Sequence, residues 1–502
     1  MGRGITRREF LKKSAVTAAV FPGGSAIAFG RNGPSAPQRL RDVTQVDRAA
    51  VRKLASRLRG QALLPGDKRY VSACQDWAGR MPLRPGLVVR CAGAEDVVAV
   101  VNFARDHDRP LAVRAGGHGF RSTEGGVLVN LSGMTKVSVD AAQHVARADA
   151  GLTLGGLDGA TRTSGLAAVL GECPTVGMAG FTLGGGLGRL MGQHGSACDN
   201  LLSAHIVTAD GRELHVSAYE NADLFWGIRG GGGNFGIVTS FEQRLHTVGP
   251  VLAGVLQYSM SQAGAALRFF AGYMEEAPDE LDALVEMGSI LQYAPDIQVP
   301  AVVINVCCGG DLRAAEQTLR PLRAFGPPAV DTIRPMPYFE AQTLGADLTL
   351  LLHHLAPKYS RSAKNGFVTR LADGAVDAVV DHAQRPPSES WQIAFDHYLH
   401  GAICRVPETE MAFSLRQGGY SFRLVAFREG PGPAETAEAW VKSLHAALEP
   451  FSGGRMYLNY LTDQGEPGVR SAFGANYQRL AALKKRYDPT NFFHLNPNIA
   501  PG

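Results

Sequence analysis

GECPTVGMAGFTLGGGLG, Gly171 to Gly188, decides how the rest of the chain is read. Seven of its eighteen residues are glycine. Glycine in an ordered segment is destabilising by roughly 0.5–1 kcal/mol relative to alanine, because it loses more backbone freedom on folding than any other residue. A run this dense persists where a missing Cβ is needed, at tight turns or where backbone lies against a flat ligand. Cys173 stands at the mouth of the run, directly before Pro174. The 60 glycines of the 502-residue chain gather at 116–126, 151–195 and 227–236. They show no Gly-X-Y period, which excludes a fibre and points to backbone brought against a bound group.

Outward from the run, strand and helix patterns alternate. Leu87–Ala92 (LVVRCA) predicts a strand, and Ala94–Asp108 (AEDVVAVVNFARDHD) an amphipathic helix with acids in its first turn. Pro110–Gly119 (PLAVRAGGHG) reads as a strand running into a glycine turn. Gly126–Met134, Val137–Ala150 and Leu202–Val216 read as strands or hairpins, the last turning at Ala209-Asp210-Gly211. Gly231–Gly236 satisfies G-x-G-x-x-G, but DLFWGIR before it is no buried strand and IVTSF after it is no helix. A dinucleotide fingerprint needs the opposite order, which argues against nicotinamide binding.

Residues 247–450 have another texture. Strand-like Val251–Met260, Ala301–Cys308, Trp391–Val406 and Ser421–Phe427 are separated by amphipathic helices at Gly264–Met274, Asp311–Gly326 and Ala434–Leu448. That pattern suits a sheet covered by helices. The expected fold class is α+β. The expected divisions are a targeting segment (1–28), a lead-in with a helix near 47–59 (29–80), a glycine-punctuated domain (81–247), a second domain (248–454) and a C-terminal segment (455–502).

The first 28 residues hold TRREFLKK, a short apolar stretch and an A-x-A site, the layout of a signal peptide. The pair Arg7-Arg8 followed by EFLK resembles a twin-arginine export signal, which implies a periplasmic or secreted protein. These residues carry the whole formal charge of +4, so the remainder is near neutral and nothing favours nucleic acid or an anionic membrane as partner. No later apolar run is long enough to span a bilayer. The seven cysteines form no C-x-x-C pair. Neither Cys307-Cys308 nor His353-His354 has a partner at metal-ligand spacing, so no metal is expected.

Three stretches together, RAGGHG (Arg114–Gly119), the opening run, and DLFWGIRGGGGNFGIVTSF (Asp223–Phe241), resemble in order and spacing the FAD-linked oxidases of the vanillyl-alcohol oxidase superfamily, and more narrowly the berberine bridge enzyme-like group. The likeness is strong over about residues 70–250 and returns at YLNY (Tyr457–Tyr460) and in the tail. It implies a two-part PCMH-type FAD-binding domain, a substrate domain with an antiparallel sheet, and a C-terminal segment that returns to the FAD domain. It also implies FAD held by two bonds, from His118 to the flavin 8α carbon and from Cys173 to C6. Arg114, Ala115, Gly116 and Gly117 match the phosphate loop. Gly119 stands where many members have serine. Gly177, Gly180, Gly184, Gly185, Gly186 and Gly188 match the loop along the flavin, and Gly236, Ile237 and Val238 the strand start that meets it.

The resemblance further makes Tyr460, beside Asn459, the base that faces the flavin. A free tyrosine titrates near pH ~10, so a positive or hydrogen-bonding neighbour is expected to lower it. Tyr398, from the second domain's sheet, is a weaker candidate for substrate contact, and a place in the core is the favoured reading of it. Val176 matches a position where valine goes with oxidases and leucine with dehydrogenases. The implied activity is oxidation of an alcohol carbon on a sugar, oligosaccharide or secondary metabolite, with O2 reduced to H2O2. A dehydrogenase with another electron acceptor and a flavin-binding protein without turnover remain open.

Overall fold

The computed structural model describes residues 46–502 other than positions 78, 80, 82, 120–121, 290–299, 345–358, 389, 430–434 and 462–464. The export-signal reading and the His353-His354 pair therefore lie outside the described residues. Two sheets build the first unit. A mixed sheet runs in the order β1 (Gln61–Leu63), β2 (Leu87–Arg90), β4 (Val127–Asn130), β3 (Leu111–Arg114). An antiparallel sheet runs β5 (Val137–Asp140), β6 (Val145–Asp149), β10 (Ile237–Arg244), β8 (Leu201–Val207), β9 (Glu213–Ser217). The helix Ala94–Asp106 packs between them, burying Val97, Val100, Val101 and Phe103 at helical spacing. A short pair, β7 (Leu166–Ala167) with β11 (His246–Thr247), leads the chain out.

The second unit is one large antiparallel sheet. Its order is β15 (Val330–Asp331), β12 (Pro250–Ser259), β14 (Ala301–Cys308), β13 (Leu281–Gly288), β18 (Ser390–Leu399), β19 (Gly419–Glu429), β17 (Tyr359–Val368), with β16 (Arg334–Pro337) also on β12. Strand side chains alternate between faces. One face, with Val285, Ile304, Ile393 and Leu424, is buried under the helices Ala263–Glu275, Leu312–Ala324, Asp373–Ala383 and Glu435–Leu448 and forms a second core. The other face carries buried Asp282, Glu286, Asn305, Gln392, Asp396 and Ser421. It is this polar face that turns toward the first unit.

The predicted strands and helices of both units form, except that the strand read over Trp391–Val406 ends at Leu399 and the chain turns into a short helix at Ala402–Arg405. β13, β17, the helix Asp373–Ala383 and the short helix Met178–Leu183 inside the glycine run also form, without having been read from the sequence. β13 hides its period because both faces are buried, one apolar and one polar, so Asp282 and Glu286 sit at inward positions.

The C-terminal helix Tyr477–Tyr487 returns to the first unit. Its Lys484 is fully buried and donates to the Asn234 carbonyl (2.7 Å), the Phe493 carbonyl (2.9 Å) and Asp488 (2.7 Å). Burial lowers the Lys484 ammonium's pKa while Asp488 holds it charged. The G-x-G-x-x-G stretch thus joins a helix (Ala222–Ile228) to a strand and docks the tail, as the reading against a dinucleotide site requires.

Candidate active site

Two glycines join the RAGGHG loop to the opening run. A Cβ on Gly116 would lie 2.2 Å from the Gly177 nitrogen, and one on Gly177 would lie 2.3 Å from the Gly116 nitrogen. Only a glycine pair allows this approach, and it brings His118 and Cys173 to one place. His118 Nε2 lies 2.9 Å from Thr175 Oγ1, and Cys173 Sγ lies 3.4 Å from the same oxygen. The His118 ring stacks on Trp77, with centroids 4.7 Å apart and planes 8° from parallel. Arg114 turns inward and donates to the Ala73 carbonyl (3.0 Å), so its side chain holds the loop to the chain before it.

The rest of the run is packed against protein. Gly184 faces Asn459, whose Oδ1 would be 1.9 Å from an added Cβ. Gly185 and Gly186 lie against Phe413 and Ala197, Gly188 against the Leu170 carbonyl, and Gly236 against the Val207 carbonyl. Gly119 and Gly180 face open space. At most of these glycines the missing Cβ makes room for neighbouring chain. Ile237 and Val238 bury their side chains in the first core, and Val176 is partly buried against it with its carbonyl on the Leu154 N–H (2.9 Å).

The C-terminal Asn459-Tyr460 pair is locked onto the run by a residue missed in the sequence. Tyr457 Oη accepts the N–H groups of Gly186 and Leu187 (3.2 Å each) and the Asn459 amide (2.9 Å). Asn459 also donates to the Phe181 carbonyl (3.0 Å). Tyr460 then meets Tyr457 edge-to-face at 5.0 Å and points its hydroxyl at Asp396 Oδ2, 3.3 Å away. Arg423 pairs with the other Asp396 oxygen at 3.3 Å.

Tyr460 does not have the lowered pKa expected of a free-standing base. Burial of its hydroxyl, then the Asp396 carboxylate, push the phenol well above its ordinary value, and Arg423 offsets only part of this. Tyr460 is thus a phenol that donates to a carboxylate.

Asp396 was missed in the sequence because nothing local marks it: it shares the parity of Gln392 and Ala394 on β18, and only the fold brings it to Tyr460. β18 pairs Phe395 with Phe422 and His397 with Ser421, leaving Asp396 as the extra residue. That bulge also places Tyr398. Past it the alternation is shifted, so His397 shares the polar face while Tyr398 turns away. Tyr398 packs on Tyr420 (4.6 Å) against the helix-covered core, the favoured reading of it.

These residues fit a flavin dinucleotide. Among the described residues the N–H groups of Gly116, Gly117 and Gly119 meet no acceptor, and the buried Ser122 hydroxyl has no partner. Successive amides and a hydroxyl in a glycine turn suit a pyrophosphate. Beside them stand an imidazole and a thiol within reach of one hydroxyl, and across the run a phenol hydrogen-bonded to a carboxylate.

Comparison with known proteins agrees. Residues 85–217 match the family model described as "FAD binding domain", and residues 456–500 the one described as "Berberine and berberine like". The chain is 31% identical to (R)-6-hydroxynicotine oxidase of Paenarthrobacter nicotinovorans over 89% of this chain and 99% of that one. The crystal structure of 6-hydroxy-D-nicotine oxidase from Arthrobacter nicotinovorans superposes with a TM-score of 0.79 at 29% identity, covering 89% and 98% of the two chains. A xylooligosaccharide oxidase from Myceliophthora thermophila in complex with xylobiose shares the fold, with a TM-score of 0.79 at 22% identity over 90% and 99%. On this likeness in sequence and fold, the chain belongs to the berberine bridge enzyme-like FAD-linked oxidoreductases.

Proposed function

We propose that this protein is an exported oxidase that carries FAD on two bonds, to His118 and Cys173, and oxidises an alcohol carbon of a sugar, oligosaccharide or hydroxylated secondary metabolite. The observation that carries the reading is Tyr460 hydrogen-bonded to Asp396 between the glycine run and the polar sheet face. The flavin, when bound, supplies the acceptor for a hydride. The chain supplies the proton path. Tyr460 takes the hydroxyl proton of the substrate as its own passes to Asp396, and Arg423 keeps that carboxylate oriented. Asn305, Glu286 and Gln392 line the same face, with Gln392 donating to Glu286 at 2.6 Å. His397 adds a buried ring nitrogen without a hydrogen-bond partner. A face of donors and acceptors suits a substrate rich in hydroxyls.

A panel of sugars and alcohols, read by peroxide release and by bleaching of the flavin, tests the activity. Bleaching without peroxide in air would make it a dehydrogenase, and no bleaching by any compound a binding protein. His118→Ala and Cys173→Ala are each expected to leave flavin in the acid-precipitated protein, while the double variant releases it to the supernatant. Free flavin from the unaltered protein would end the covalent reading. Val176 is assigned the oxygen path. Val176→Leu is expected to slow reoxidation roughly tenfold or more, a barrier rise of about 1.4 kcal/mol, with substrate reduction unchanged in stopped flow. Replacing Arg7-Arg8 by lysines is expected to hold the protein in the cytoplasm on cell fractionation; undiminished export would refute the twin-arginine route.

A further inference from the structure

One side chain touches both proposed anchors. Thr175 Oγ1 is 2.9 Å from His118 Nε2 and 3.4 Å from Cys173 Sγ. The parallel Trp77 ring fixes the plane of the imidazole, so the Nε2 edge is held on this hydroxyl and the bond to the flavin forms from Nδ1. A hydroxyl donates one hydrogen and accepts others, so it can pass a proton between two neighbours it touches at once.

We propose that Thr175 is a proton relay that carries the Cys173 thiol proton to His118 while the sulfur bonds to the flavin. The proposal rests on the two-bond reading above. A thiol is a nucleophile only as its thiolate. Before attachment, the neutral His118 ring with its hydrogen on Nε2 donates to Thr175. After Nδ1 is bonded to the 8α carbon, Nε2 has given up that hydrogen and carries a lone pair. The polarity of the line is then reversed: the thiol donates to Thr175, and Thr175 donates to Nε2. The first attachment thereby makes His118 the base for the second.

The bonds balance. The His118 step exchanges an N–H and an 8α C–H for a C–N bond. The Cys173 step exchanges an S–H and the C6–H for a C–S bond. Each step leaves two electrons on the flavin and frees two protons, the thiol proton passing by way of His118, and dioxygen takes up two electrons and two protons as hydrogen peroxide. Thr175 is a positioning and relay residue for attachment, with no part in substrate oxidation.

The test is mass spectrometry of flavin peptides from the full-length protein, purified at neutral pH and again after incubation in air near pH ~9. In Thr175→Val the His118–flavin peptide is expected at the normal yield. The peptide in which one flavin joins His118 and Cys173 is expected to form roughly tenfold or more slowly at neutral pH, because the sulfur attacks only once its proton is taken. Incubation near pH ~9, where hydroxide serves as the base in place of the relay, restores it, and Thr175→Ser forms it normally at neutral pH. In a His118→Ala background Thr175→Val adds no further loss at Cys173. Normal joining in Thr175→Val at neutral pH, or a deficit relieved neither by pH nor by serine, overturns the relay. A wild-type protein without the joined peptide overturns the two-bond reading itself, whereas a joined wild type with an indifferent Thr175→Val overturns the relay alone.

Discussion

Tyr460→Phe is expected to slow substrate-driven flavin reduction by roughly 10²–10⁴-fold, the range of a single positioned proton-transfer group, and to leave flavin content and fold unchanged. The ring keeps its edge-to-face contact with Tyr457 at 5.0 Å. What is lost is the hydroxyl and its 3.3 Å contact with Asp396. Asp396→Asn is expected to act at the same step, because an amide cannot take the phenolic proton. The two losses are not additive, since both residues serve one transfer. The electrostatics also fix the form of the pH profile. Burial and the neighbouring carboxylate raise the Tyr460 pKa, so the resting phenol is protonated through neutrality. No limb of kcat/KM across roughly pH 6–9 should belong to a tyrosinate. Stopped-flow reduction of Tyr460→Phe at a near-normal rate would remove Tyr460 from the mechanism.

How far this site could be read from the chain depended on how local its causes are. His118 and Cys173 stand in glycine turns that advertise themselves, and the hairpins and helices follow short periods. Asp396 keeps step with Gln392 and Ala394 in WQIAFDHYL, but its partner Tyr460 comes from the far end of the chain, so the contact shows only in the fold. Tyr398 would share that parity, but the bulge after Phe395 turns it to the other face. Arg423 and Asp282 look like surface charges in strands, yet they lie on the face that covers the site. The glycine run was correctly read as a place of close approach, but its partners were mostly other segments of chain. Gly116 with Gly177 and Gly184 with Asn459 could be paired only once the fold placed them together.

Arg189→Ala is expected to cost about 3–5 kcal/mol of stability, the loss typical of breaking a buried ion pair from one side. Arg189 follows the glycine run, and its side chain has no exposed surface. It donates to Asp282 (2.8 Å) on β13 and Asn305 (2.9 Å) on β14, with Glu172 Oε1 4.0 Å from its Nε. One guanidinium thus clamps the flavin-side run to the polar face of the second sheet and answers two carboxylates. Burial already raises the Asp282 pKa, with Arg189 pulling it back. Without the arginine that pKa rises further above its unfolded value. The folded variant then binds more protons than the unfolded chain between those two values, so its stability falls as pH rises through that window. Urea unfolding should therefore show a smaller deficit at acid pH than at neutral pH. The triple variant Arg189→Met, Asp282→Leu, Glu172→Gln leaves no buried charge alone on either side, and should recover most of the stability. Turnover is the sharper readout. If the clamp sets the height of the sheet over the flavin, the triple variant will fold and bind flavin yet reduce it slowly, because stability returns with the packing but the placement of Asp396 over the substrate does not. Unfolding of Arg189→Ala at the wild-type urea midpoint would show that the two units are held together by something else.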